Sequence, residues 1–155
     1  MRSNRARRNT QRRTGFTAIE IIIVLVIVGL VAGFATPRIS NTIAQDRVRR
    51  AAGVVASNIE LAFQYAARTR KPVSVTLNSS TRVLAITDRA AGTIYKQMDL
   101  SQAGTWALTG ASISPTAGIT IFPTGISSAA VTVTLTNNAF SKTVTGTIAG
   151  QVTKP

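Results

Sequence analysis

Glu20 is the one charged residue in the stretch 15–36, GFTAIEIIIVLVIVGLVAGFAT. A carboxylate in such a setting has one kind of chemistry open to it. In an apolar medium it must find a cation or several hydrogen-bond donors, because an isolated buried charge is costly. Companions for catalysis are missing. The 155-residue chain has no histidine, no cysteine and only five acids. The other four, Asp46, Glu60, Asp88 and Asp99, are scattered. No nucleophile–His–acid set, H-E-x-x-H helix, glycine-rich phosphate loop or EF-hand-like calcium loop can be written through them. Asp88 and Asp99 are the pair that a fold could bring to a shared cation, although solvated surface carboxylates are the commoner case. The residue types call for no cofactor and no metal, and an enzyme is not expected.

The element that must hold Glu20 is a helix. Residues 16–36 span roughly 30 Å as an α-helix, the thickness of a bilayer core. A charge at a helix centre costs about 3 kcal/mol on insertion scales, while each Leu, Ile, Val or Phe returns about 0.3–0.6. The many apolar residues therefore outweigh one Glu near the interface, and 16–36 is expected to insert as a transmembrane helix. Gly29 and Gly33 form a G-x-x-x-G pattern that allows close helix approach, and a kink or break is expected near Pro37.

The formal net charge is +13, which invites a nucleic-acid reading. Its distribution points elsewhere. Six of the eighteen basic residues (Arg2, Arg5, Arg7, Arg8, Arg12, Arg13) precede Gly15, with no acid among them. Ahead of a membrane segment, such an arm is a positive flank that keeps the N-terminus in the cytoplasm. An ordinary secretory signal also begins this way, and Gly33-Phe34-Ala35 would serve as its cleavage site. The apolar run is long for that scheme, which also gives Gly15-Phe16 no role.

Gly15-Phe16-Thr17-Ala18-Ile19-Glu20 followed by a long apolar run resembles the N-terminal signal of type IV prepilins and pseudopilins. The resemblance implies that a prepilin peptidase cuts after Gly15 on the cytoplasmic side and methylates the new N-terminus at Phe16. It implies that Glu20 is the glutamate needed for assembly. Ala18, where leucine is commoner, is the one departure. Physical chemistry is compatible with this: cleavage leaves an α-amine of reference pKa about 8, and amine and carboxylate in lipid are much cheaper paired than apart. Four residues separate them, so the pair could form within one helix or between neighbouring subunits; the family's assembly model favours the neighbour. Domains follow: a basic leader at 1–15, a transmembrane helix at 16–36, an amphipathic helix at 37–71 and a β-rich head at 72–155.

Beyond Pro37, Val48, Ala52, Val55, Ile59, Ala62 and Ala66 recur at spacings of four and three, the apolar stripe of a helix ending before Pro72. Arg49, Ser57, Glu60, Gln64 and Arg68 are left for water, and Asp46 with Arg50 makes an i, i+4 pair. From Val73 the period becomes two. Strands are expected at 73–77, 82–87, 93–98, 119–122, 131–136 and 142–148, with a short end strand after Gly150 and a looser stretch at 99–118 holding Trp106. The fold class is α+β: a long N-terminal helix packed against a C-terminal antiparallel sheet.

The run from Arg47 to Arg70, the segment Ile119-Thr120-Ile121-Phe122-Pro123-Thr124-Gly125 and the closing Ala149-Gly150-Gln151-Val152 resemble the GspH/FimT group of minor pseudopilins and pilins. That resemblance implies a structural subunit of a type II secretion pseudopilus or a type IV pilus. It would be anchored in the inner membrane with its head outside the cytoplasm, and its partners would be the peptidase, membrane lipid and other pilins. Some members of this group are associated with DNA capture in transformation, an alternative function needing clustered cations. Lys142 and Lys154 are the candidates near the C-terminus, and Arg68, Arg70, Lys71 and Arg82 could cluster elsewhere.

Overall fold

The computed structural model describes residues 15–101 and 105–153, with only the backbone described for 34–39. Two compact units divide between Ile39 and Ser40. One helix, α1 (Ala18–Thr69), contributes to both.

In the first unit α1 carries apolar side chains all round its circumference. From Ile19 to Val31 the large ones are each between 48% and 64% exposed, with no face turned to a core. The backbone is helical across Pro37, so the break expected there is not seen in the single chain. A proline removes one hydrogen bond and crowds one turn, and the bonds on either side can carry the helix past it.

The second unit is built on the other half of α1. Val48, Ala52, Val55, Ile59, Ala62 and Ala66 are all fully buried, joined by Ala44, Ala51 and Ala56. Alanines on this face let strands come close, while Val and Ile fill the layer between. Thr69 ends the helix, and Arg70 turns the chain at φ 54°.

Among the described residues, eight strands follow. They are β1 (Val73–Asn78), β2 (Val83–Asp88), β3 (Ile94–Asp99), β4 (Gly110–Ser114), β5 (Ile119–Ile121), β6 (Val131–Asn137), β7 (Phe140–Gly146) and β8 (Val152–Thr153). They form two four-stranded antiparallel sheets, ordered β3-β2-β1-β5 and β4-β6-β7-β8. The α+β class is as expected, a helix packed against an antiparallel head, and the head is divided between two sheets. Alternation fixes which side chains face inward: Val73, Val75 and Leu77 from β1, Leu84 and Ile86 from β2, and Val131, Val133 and Leu135 from β6 all enter the core. Leu100 and Leu108, from the segment joining β3 to β4, are fully buried with them.

The turns have identifiable causes. Asn78 Oδ1 accepts the N–H groups of Ser80 and Thr81, each at 3.0 Å, closing the β1–β2 connection. Gly118 sits at φ 80°, where a Cβ would overlap the Val75 carbonyl oxygen. Only glycine brings β5 this close to β1.

Candidate functional site

Gly15, Phe16 and Thr17 are non-helical and exposed, immediately before the first residue of α1. Phe16 is 82% exposed, and nothing lies within 4 Å of a Cβ built on Gly15. Among the described residues, nothing covers the peptide bond between them. Helix start is set by Thr17 as N-cap and Glu20 three residues on, a reciprocal capping box. The Thr17 N–H donates to Glu20 Oε2 at 2.8 Å and the Thr17 hydroxyl to the same oxygen at 3.0 Å. In return the Glu20 N–H donates to Thr17 Oγ1 at 3.3 Å. Negative charge in a first helical turn is also favoured by the helix dipole. Glu20 thus finds its partners within the first turn of its own helix.

Gly29 and Gly33 lie on α1 with open space around them. The arm at 1–14 falls outside the described residues. Among the described residues, no helix is long and apolar enough to cross a membrane. The apolar run with described side chains stops at Gly33, and in sequence it continues through Phe34 and Ala35.

On the second unit, Lys142 is half-buried on β7 and lines an open groove of about 510 Å³ with Thr42, Ile43, Gln45, Asp46 and Arg49. Asp46 is bridged to Arg50 at 2.6 Å, the expected pair. Lys154, the other cation considered for DNA, lies outside the described residues. Four cations do gather, but not the expected four. Arg68 lies over the Tyr65 ring at 6.0 Å; Tyr65 stacks on Tyr95 with centroids 5.1 Å apart. Tyr95 donates its hydroxyl to Asp88 Oδ2 at 3.1 Å, and Lys71 Nζ approaches the same oxygen at 3.8 Å. The Arg89 N–H donates to the Pro72 carbonyl at 3.0 Å. Arg68, Arg70, Lys71 and Arg89 thus share one end of the head, and all are exposed.

Arg82 is not among them. It precedes Val83, which pairs with Asn78, whereas Lys71 precedes Val73, which pairs with Asp88. The two cations stand at opposite ends of the hairpin, and Arg82 Nη1 donates to the Thr109 carbonyl at 3.1 Å. The same register separates Asp88 from Asp99, which pairs with Val83. They cannot share a cation. Each has its own local donors. The Ala91 and Ala90 N–H groups at 2.9 and 2.8 Å hold the Asp88 carboxyl below the usual range, and Ser101 does the same for Asp99.

No family model matches this sequence, and no curated relative does. Solved structures do match. The type IV minor pilin FimU of Pseudomonas aeruginosa is 17% identical with a TM-score of 0.58, over 71% of this chain and 89% of that one. A second FimU crystal structure gives 16% and 0.54, over 68% and 90%. The minor pseudopilin EpsH of the type 2 secretion system of Vibrio cholerae gives 14% and 0.52, over 69% and 94%.

The fold is pilin-like.

Within this pilin-like fold, two features escaped sequence reasoning. The capping box was written in the sequence as Thr17-x-x-Glu20 ahead of an apolar run, its standard signature. The gathering of Arg89 with Arg68, Arg70 and Lys71 had no such signal, because it depends on strand register.

Proposed function

We propose that this chain is a non-enzymatic filament subunit of the pilin or pseudopilin kind, made as a precursor and assembled through α1. The observation that carries the reading is the open, non-helical Gly15–Phe16 bond standing directly before a helix that is apolar all round. A cytoplasmic-side prepilin peptidase would cut there and methylate Phe16. Residues 16–36 would anchor the chain in the inner membrane with the head outside, since a helix with no polar face needs lipid or other helices around it. Gly29 and Gly33 would let neighbouring helices approach closely.

Glu20 would change partners during this life cycle. In the precursor it is held by Thr17. Once Phe16 carries a free amine, a carboxylate of a neighbouring subunit can pair with it, and the GspH/FimT-like assembly role of Glu20 would lie in that exchange. The type II secretion pseudopilus and the type IV pilus are both served by this scheme.

Intact-mass spectrometry of the chain, expressed with and without a prepilin peptidase, tests it. A peptidase-dependent product beginning at Phe16 with one added methyl is expected. A product beginning near Thr36, or a chain left uncut, would overturn the reading.

A further inference from the structure

The rim of the first sheet near the end of α1 combines positive charge with exposed apolar residues. Register places its members. Val73 of β1 pairs with Asp88 of β2 on one side and with Ile121 of β5 on the other. The residues just outside these pairs are therefore neighbours: Arg89, the Lys71–Pro72 turn and Phe122, at strand spacings of about 4.8 Å. Phe122 is 38% exposed, and Ile126, which accepts its N–H at 2.8 Å, is 51% exposed. The loop between them is closed by a second bond, Gly125 N–H to the Phe122 carbonyl at 3.0 Å. Arg68 and Arg70 complete the rim from the helix end. The acid within it, Asp88, is 3% exposed and already takes three hydrogen bonds.

We infer that this rim docks a different protein, one presenting acidic side chains around an apolar centre. Arginine beside aromatic and aliphatic residues on a rigid turn is the composition of a protein-binding surface, whereas nucleic-acid surfaces are more uniformly polar. A second copy of this chain is a poor occupant. Of its five acids, Glu20 is held by Thr17, Asp46 is bridged to Arg50 and Asp88 is buried. Glu60 and Asp99 lie on separate elements, α1 and β3, and make no counter-patch. The inference deepens the filament reading and rests on it for the kind of neighbour: the next subunit at this end is a non-identical, acidic one.

The test uses the full chain in detergent and three labelled probes of matched charge: a peptide alternating Glu and Leu, polyglutamate, and a short DNA duplex. The alternating peptide is expected to bind about tenfold tighter than polyglutamate, the difference a half-buried Phe and Ile would make. Phe122→Ser, or Ile126→Ser should the first variant misfold, should reduce that ratio towards one. Arg70→Gln with Arg89→Gln should weaken both peptides, while the charge-matched Arg47→Gln with Arg49→Gln leaves them unchanged. Tightest binding to DNA, indifferent to Phe122→Ser, would overturn the inference. So would equal binding of the two peptides, or a self-dimer in sedimentation that dissolves on changing Arg70 and Arg89. None of these readouts depends on processing at Gly15, so failure of the rim and failure of the precursor reading are told apart.

Discussion

Thr17 and Glu20 satisfy one another at the start of α1, the Thr17 N–H and hydroxyl both on Glu20 Oε2 and the Glu20 N–H on Thr17 Oγ1. The carboxylate that stands out in the sequence is thus a helix-capping group first. Any role in assembly has to displace or share those hydrogen bonds.

Capping and charge can be separated. Thr17→Ala removes the cap and should speed amide exchange in the first turn of α1 about fivefold, with processing intact. Glu20→Gln keeps an acceptor at the third helical position but carries no charge. It should insert and be cut normally yet fail to enter filaments, as Glu20→Ala should, read by immunoblot of sheared filaments. Normal incorporation of the Gln variant would remove ion pairing from the proposed role.

Ile59 is fully buried between α1 and the strands, close to Gly146. Ile59→Ala should cost about 2–5 kcal/mol. Ile43→Ala, on the exposed side of the same helix, should stay within about 0.5 kcal/mol. Urea titration of the full chain followed by Trp106 fluorescence compares them.

Asp88 predicts an acid limb in the stability profile. Its folded pKa lies below the ordinary carboxylate value, chiefly through the Ala91 and Ala90 N–H groups. The unfolded chain therefore takes up a proton first as pH falls. The stabilisation is complete above the unfolded value of about 4 and is lost as pH drops through the folded one. Asp88→Asn should lower the melting temperature at neutral pH and flatten the decline below about pH 4. An unchanged acid limb would assign it to other carboxylates, Asp99 foremost.

Gly118→Ala places a methyl group against the Val75 carbonyl oxygen in a left-handed backbone. Strain of that kind costs about 1–3 kcal/mol before the overlap is counted. Gly125→Ala shares the positive φ but meets open space, so it should cost the smaller amount. Their difference in melting temperature isolates the close approach of β5 to β1.

Periodicity made much of this architecture legible. The spacing of Val48, Ala52, Val55, Ile59, Ala62 and Ala66 named the buried face of α1 residue by residue, because one hydrophobic stripe has one solution on a helix. The hairpins at Asn78 and Asn138 were marked by their turn residues. β4 was hidden: Gly110-Ala111-Ser112-Ile113-Ser114 alternates in burial, but small side chains blur the pattern. The division into two sheets was hidden too, since alternation says which face is inward and not which strand lies alongside. At the candidate site, residue types drew attention to Gly15, Phe16 and Glu20; the Thr17-x-x-Glu20 signature stood beside them in the sequence, and the hydrogen bonds gave it its meaning.

The helix face that forms the core is made long before its coverings. Ile59 waits for Gly146, and Phe63 for Gly150, partners far apart in sequence. The spine can be enclosed only once β7 and β8 have been made. Folding of the head is therefore a late event, dominated by contacts between distant parts of the sequence. When α1 is already complete, the strands that enclose its apolar face are still arriving.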